Sequence, residues 1–272
     1  KNKFGVMQGR LLPKYRGRYQ AFPIGYWADE FPLAKELELD LIEFIFDFNQ
    51  AELNPLLNAE GIQKIKALME ETGVGVDTIC ADYFMLAPLH SADPAIADTS
   101  VNILFELIKN ASNLGVKDIV LPCVDDSSLK TPSSLGRLVD ILEDATPAIE
   151  SANINLCLET DLPPKKFLDV INQFTSPRIT VNYDIGNSAS LGYDCEKEIK
   201  LYGHRITDVH IKDRELSGGP VLLGTGNARL KRVFELLKDI SYAGPFIMQA
   251  FRDEDGLELF KQQLNYVRNV VY

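Results

Sequence analysis

Positive charge is in short supply in this chain: 28 lysines and arginines stand against 39 aspartates and glutamates, for a net charge of −11. Binding to nucleic acid or to an anionic membrane surface rests on clustered lysine and arginine, so this balance argues against both. A small anionic substrate stays open, because charge at the pocket counts for more than the total. No apolar run approaches the ~20 residues needed to cross a bilayer, and no secretory signal is visible. Only four cysteines occur, Cys80, Cys123, Cys157 and Cys195, with no CxxC spacing. The first three sit in apolar, strand-like runs, which reads as reduced thiols in a cytoplasmic protein. Also missing are a Pro/Gly/Ser linker, a low-complexity segment, and the Gly-rich turn after the first strand that a nicotinamide-dependent oxidoreductase would use. What remains is an ordinary globular composition, 46% hydrophobic and 25% charged over 272 residues, enough for one α/β barrel or two smaller domains.

Strand-like and helical patterns alternate along the whole chain. Residues 4–8 read as a first strand, followed by a loop from 11 to about 27 that is long enough to act as a lid. A helix over about 29–38 leads to a second strand at 41–46. Then come a helix from about 59 to 73, a strand at 74–81, a loop at 82–94 and a helix over about 96–114. A fourth strand at 118–123 precedes a helix marked by Leu135, Leu138, Leu142, Ala145 and Ile149. Four more apolar runs, 156–159, 181–184, 208–212 and 246–249, are interleaved with helical stretches near 164–174, 194–202 and 227–240, and a last helix runs over about 257–270. Strands alternating with helices imply a parallel sheet. Eight such units in ~250 residues fit a closed (β/α)8 TIM barrel, one domain over residues 1–272. An open doubly wound sheet is the alternative, but the Gly-rich turn it would favour is missing.

The last four strands share a feature. Each ends in a residue that could bind a metal: Glu159, Asp184, His210 and Gln249. On parallel neighbours those ends lie side by side, so the donors can converge on one divalent ion, and chemistry in parallel α/β folds sits at the carboxyl ends of the strands. Lys212 lies two residues after His210 and should face the same side.

With Met7-Gln8-Gly9-Arg10, Ile42-Glu43, Asp184-Ile185-Gly186-Asn187, Val209-His210-Ile211-Lys212-Asp213, Leu223-Gly224-Thr225-Gly226 and Gly244-Pro245-Phe246-Ile247, these strand ends resemble the sugar isomerase/epimerase superfamily of xylose-isomerase-like TIM barrels. The resemblance covers nearly the whole chain. It implies an active site at the C-terminal ends of the strands, where a Glu, an Asp, a His and a second Glu ligate one Mn, Mg, Co or Zn ion. In the family's epimerases the two glutamates work on opposite faces of the substrate. Glu159, Asp184 and His210 match; the second Glu is Gln249 here. A neutral amide can donate oxygen to a metal but cannot act as a base near neutral pH. The expected enzyme is therefore a one-base isomerase or epimerase, with Glu159 as the base and Lys212 as a second candidate. Its substrate would be a sugar, sugar phosphate or inositol derivative, deprotonated through an enediolate. A dehydratase of the same superfamily, or a noncatalytic sugar-binding barrel that lost catalysis through Gln249, are the alternatives. The family's DNA-repair branch fits poorly: its site needs several metal ions and more histidines than the three here. The expected partner is a small molecule, with no nucleic acid and no membrane; pairing of copies through the outer helices stays open.

Candidate substrate contacts surround this core. Arg10, Arg214 and Arg252 follow predicted strands and could bind an anionic substrate, or could be plain surface arginines. Glu43 lies within the second strand, and Tyr83 and His90 lie in the loop at 82–94. Asn187 could bond a substrate hydroxyl or cap a turn. Trp27, Tyr83 and Phe84 could stack on a sugar or cover the rim. Gly224-Thr225-Gly226-Asn227 precedes a helix and could hold a phosphate with free N–H groups, though a tight turn ending in an Asn cap is the plainer reading. A carboxylate at one strand end is more often a helix cap, and a histidine in an apolar run more often a satisfied core residue. The coincidence of four strand ends is what favours the metal reading.

Overall fold

The computed structural model describes residues 2–253 and 256–271. Eight parallel strands form a closed barrel: β1 (Phe4–Met7), β2 (Leu41–Ile45), β3 (Thr78–Cys80), β4 (Asp118–Cys123), β5 (Asn155–Thr160), β6 (Ile179–Asp184), β7 (Ile206–Ile211) and β10 (Phe246–Met248). They pair in the order β1-β10-β7-β6-β5-β4-β3-β2. Two short strands between β7 and β10, β8 (Asp213–Arg214) and β9 (Pro220–Val221), make a separate antiparallel hairpin. The α-helices among the described residues, most of them outside the barrel, are α1 (Glu30–Glu36), α2 (Ala59–Thr72), α3 (Tyr83–Leu86), α4 (Pro94–Leu114), α5 (Pro132–Ala152), α6 (Pro164–Ile171), α7 (Ile185–Ser190), α8 (Cys195–Tyr202), α9 (Leu230–Asp239) and α10 (Glu258–Val271). The barrel strands are buried on both faces, which is why they read as near-continuous apolar runs rather than as an alternation. No helix among the described residues is long and apolar enough to cross a membrane.

The helices begin and end where local chemistry says they should. Asp93 accepts from the Ala95 N–H at 2.9 Å and Pro94 occupies the first turn of α4. The helix stops at Gly115, whose φ of 80° is costly for any residue with a Cβ. Its buried stripe is Leu104, Leu107, Ile108, Ala111 and Leu114. All four cysteines are free and buried.

The differences from the sequence expectation lie at the strand ends. β3 is confined to Thr78–Cys80, short of the expected 74–81, with Gly75 making only an isolated bridge to Leu41. The segment expected as a loop at 82–94 carries a short helix, α3 (Tyr83–Leu86), and the span between the strand at 181–184 and the helix near 194–202 carries another, α7 (Ile185–Ser190). The hairpin β8–β9 gave no periodic signal, being two residues on each side.

One irregularity positions the site. The pairing of β6 with β7 shifts between Val181 and Asn182, after which Asn182 opposes Asp208 and Asp184 opposes His210. Ile247 of β10 pairs with His210 on the other side of β7, and Gln249 N–H continues the ladder to Ile211 O at 3.0 Å. Asp184, His210 and Gln249 therefore end their strands at one mouth of the barrel.

Candidate active site

One ligand atom each from Glu159, Asp184 and His210 lie within 4.8 Å of one another, in buried positions. Neighbours hold each of these groups. Both oxygens of Glu159 accept from amides: Oε2 from Asn182 Nδ2 at 3.0 Å and Oε1 from Asn187 Nδ2 at 2.7 Å. Asp184 Oδ1 accepts from the Asn187 N–H at 2.8 Å, while its Oδ2 is buried without a hydrogen-bond partner, the Lys212 Nζ standing 3.6 Å away. His210 Nε2 lies 2.7 Å from Glu43 Oε1, both side chains fully buried. A carboxylate can only accept, so the proton is on Nε2, and Nδ1 faces Asn182 at 3.1 Å and Glu159 at 3.8 Å.

Burial sets the titration of this cluster. Burial, and after it the charge of Asp184, push Glu159 up to about 7. Burial works against charge on His210, but Glu43 and its hydrogen bond, with Glu159 and Asp184 beyond, outweigh it and push the ring up to about 9. Burial likewise opposes charge on Glu43, yet His210 holds it below its ordinary value. Beneath them Asp208 is pushed well above its ordinary value by burial and by the charges of Glu43 and Asp118.

A chain of amides fixes the fourth donor. Arg10 Nη2 donates to Gln20 Oε1 at 3.1 Å, and an arginine has no acceptor. The Gln20 oxygen must face Arg10, so its nitrogen faces Asp82, donating to Oδ2 at 3.1 Å. Gln249 in turn presents nitrogen to the same Gln20 oxygen, at 2.8 Å. That leaves Gln249 Oε1 buried and without a partner. The Gln249 oxygen, and an Asp184 oxygen that has only the ion pair to Lys212 and no hydrogen bond, stand beside a carboxylate and an imidazole and form a donor set that fits a divalent cation, since burying such acceptors without a hydrogen bond is otherwise costly.

A cavity of about 310 Å³ opens onto these groups, near the lower end of small-molecule sites at roughly 300–1,000 Å³. Gln20, Asp82, Asp125, Glu159, Asp161, Asn187, Lys212, Arg214 and Gln249 all border it. Arg214 is held by its own hairpin, donating twice to Gly218 O at 3.0 and 2.7 Å, and also to Asn187 Oδ1 at 2.9 Å, which orients the amide that grips Glu159.

The other expected contacts lie elsewhere. Glu43 is below His210 rather than in the cavity wall. Tyr83 stacks on Phe46 with ring centroids 5.2 Å apart, with Phe84 edge-on behind it. Trp27 packs against Phe22, Phe31 and Phe44. These rings are core, and Met85, Pro122, Val124 and Leu191 supply the apolar part of the cavity wall. His90 is buried away from the cavity, its carbonyl accepting from Arg137 Nε at 2.9 Å. Arg252 donates to the carbonyls of Arg10 and Gly256 and lies 4.4 Å over the Tyr19 ring, so it ties down the loop after β1. The Gly224–Gly226 turn is not a phosphate cradle. The Gly224 and Gly226 N–H groups both donate to Asp213 Oδ2 at 2.9 Å, those of Thr225 and Asn227 go to backbone carbonyls, and Asn227 Oδ1 accepts from Leu216 N–H instead of capping α9.

Three contributors were missed from sequence. Asn182 lies two residues before Asp184 in the same strand, so strand alternation could have found it. Asp82 lies two residues past the end of β3. Gln20 sits in an aperiodic loop with no signal of its own.

Residues 31–270 match the family model for the xylose isomerase-like TIM barrel. The chain belongs to that family. Among curated relatives, the L-ribulose-5-phosphate 3-epimerase UlaE of Salmonella typhimurium (strain LT2) is 28% identical over 243 residues, covering 86% of each protein. Among solved structures, an L-ribulose 3-epimerase superposes with a TM-score of 0.76 at 20% identity, covering 100% of this chain and 95% of the other. The IOLI protein with a bound zinc atom superposes at 0.77 with 16% identity, covering 99% and 98%. At these identities the two superpositions speak for the barrel alone.

Proposed function

We propose that this barrel is a divalent-metal-dependent sugar epimerase or isomerase, acting on a ketose through proton transfer at the carbon beside the carbonyl. The observation that carries the reading is the convergence of Glu159, Asp184 and His210 within 4.8 Å, with Gln249 Oε1 turned free by the Arg10–Gln20 chain. Glu159, Asp184, His210 and Gln249 are the residues that would hold the ion, and Mn, Zn, Co and Mg all accept such oxygen and imidazole donors. When bound, the ion supplies Lewis-acid polarisation of a carbonyl. The relatives named for 3-epimerisation of L-ribulose 5-phosphate support the reaction class.

Glu159 is the base in this reading. Asn182 and Asn187 fix its carboxylate in one orientation, and a pKa near 7 matches a group that must both take and return a proton. Lys212, beside Asp184 at the cavity wall, brings positive charge to where an oxygen anion would form. Asp82, Asp125, Glu159 and Asp161 border the cavity against Lys212 and Arg214 alone. That balance favours a neutral ketose over a sugar phosphate, in contrast to the relatives' substrate. Metal-loaded protein should turn over a ketose, and Glu159→Gln should abolish turnover with the fold intact. Retained turnover in that variant would refute the assignment.

A further inference from the structure

Gln249 leaves the site one base short. A carbon whose configuration is inverted needs its proton removed on one face and returned on the other, and an amide can do neither near neutral pH. Besides Glu159, three carboxylates border the cavity: Asp82, Asp125 and Asp161. Asp125 is exposed in a short turn, and Asp161, half-buried, accepts from Ser128 Oγ at 2.5 Å, a residue outside the Gln20–Gln249 amide chain. Asp82 is different. It follows β3, is half-buried, and its oxygens accept from Gln20 Nε2 at 3.1 Å and Cys80 Sγ at 3.2 Å. Both donors are neutral, so no cation within ion-pair distance among the described residues fixes its charge. Through Gln20 it is tied to the very amide, Gln249, that stands where the family has a glutamate.

We propose that Asp82 is the second catalytic acid/base group, exchanging a proton with the substrate carbon on the face away from Glu159. The assignment rests on the epimerase reading above. Asp82 enters the cavity from the end of β3 and Glu159 from β5, with β4 between them, so the two carboxyl groups approach a bound sugar from different parts of the rim. Glu159 takes the proton from the carbon beside the carbonyl; the C–H electron pair becomes a carbon–carbon double bond as the C=O π pair moves onto the oxygen, giving an enediolate. Asp82, starting protonated, then gives its proton to the opposite face of that carbon; the carbon–carbon π pair forms the new C–H bond as the oxygen's pair restores the carbonyl. Glu159 ends protonated and Asp82 ionised, and solvent resets both. Burial raises the Asp82 carboxyl above its ordinary value, against the hydrogen bonds from Gln20 and Cys80. Gln20 is then a positioning residue that aims the carboxyl.

The test follows Mn-loaded protein with a panel of ketopentoses and ketohexoses in D2O by NMR, reading deuterium entry beside the carbonyl separately from inversion. Asp82→Asn is expected to cut inversion by at least ~100-fold. Deuterium should still enter the original ketose through Glu159, Mn content should stay unchanged, and Asp82→Glu should restore part of the inversion. Inversion by Asp82→Asn at the parent rate overturns the assignment. So does loss of bound Mn together with inversion, which would make Asp82 a mere support for the amide chain. Should Asp82→Asn not fold, Asp82→Glu carries the test: inversion must fall more than exchange, and an equal loss of both overturns the proposal. A parent protein that binds Mn but neither exchanges nor inverts any ketose defeats the epimerase reading itself, a result distinguishable from failure of Asp82 alone.

Discussion

Gln249 Nε2 and Arg10 Nη2 meet on one atom, Gln20 Oε1, at 2.8 and 3.1 Å. Because arginine can only donate, this meeting decides the orientation of two amides at once and leaves the Gln249 oxygen without a hydrogen-bond donor among the described residues. A loop residue near the start of the chain thereby presets a donor on its last barrel strand.

Gln249→Glu sets a carboxylate oxygen against Gln20 Oε1, where an N–H now donates. Arg10 keeps the Gln20 amide from turning over to compensate. The metal-free variant is expected to lose about 1–3 kcal/mol, the cost of a buried acceptor left facing another. Added Mn or Zn should restore the loss and bind more tightly than in the parent, because a third carboxylate answers the ion's charge. Thermal unfolding with and without metal reads both effects. A metal-free variant as stable as the parent would mean that the amide chain does not constrain Gln249.

The metal-free site should weaken as pH rises. Glu159 sits at about 7 against an ordinary 4.5, and His210 at about 9 against 6.5. Between about 4.5 and 9 the folded chain thus binds more protons than the unfolded chain, and stability falls with pH across that window. The His210 contribution is fully present below 6.5 and is lost as pH passes 9. Glu43, held low, works in the opposite sense: its contribution is present above 4.5 and is lost in acid. A cation needs Glu159 ionised and His210 Nδ1 free of its proton, so its affinity climbs over the same range. The gap between melting temperatures with and without Mn is expected to widen from about pH 6 to pH 9. A gap that stays constant would remove these two groups from the ion's coordination.

Much of this was legible in sequence because it rests on periodicity. The strand at Asp118–Cys123 was expected at those limits. Glu159, Asp184 and His210 could be aligned because parallel strands share one active end. The amide chain was not legible. Gln20 reaches Gln249 across the barrel mouth through a loop with no repeat, and the orientation logic depends on Arg10, whose side chain is placed by tertiary packing. The aromatic residues failed for a related reason. Tyr83 and Phe84 were expected in a loop at the mouth, but α3 turns them onto Phe46 and into the core. The β6–β7 register shift, which brings Asn182 between Glu159 and His210, has no sequence signal either.

Glu43 is expected to tune His210 without touching substrate. In the 2.7 Å contact both side chains are fully buried, and the carboxylate fixes which ring nitrogen faces the cluster. Glu43→Gln can still accept from Nε2 but carries no charge, and metal affinity should fall about 10–100-fold with the fold intact, as for other carboxylates behind a ligating histidine. Glu43→Ala leaves a buried ring N–H unpaired and should cost about 3–5 kcal/mol of stability. Calorimetric titration with Mn and thermal unfolding separate the two effects. Parent-like affinity in Glu43→Gln would show that the pair serves packing alone.

Asp213 carries the loop that the sequence suggested for phosphate. Its Oδ1 accepts from the N–H groups of Arg214 and Ala228 at 2.9 and 3.0 Å, and its Oδ2 from those of Gly224 and Gly226, both at 2.9 Å. The side chain thus supplies within the protein the negative charge that a phosphate would bring. Asparagine offers one accepting oxygen and turns an NH2 toward the other two donors. At about 1.5–3 kcal/mol for each bond to a charged acceptor, Asp213→Asn should lose about 3 kcal/mol or more. That corresponds to roughly 6–12 °C in melting temperature for a chain of this size. Arg214 follows directly and orients Asn187 against Glu159, so the same variant should raise the KM for a ketose more than it weakens Mn binding. Inorganic phosphate should leave the melting temperature of the parent protein unchanged, since the turn's N–H groups are already taken. A rise with phosphate would mean that Asp213 releases the turn and that this loop, after all, receives an anion.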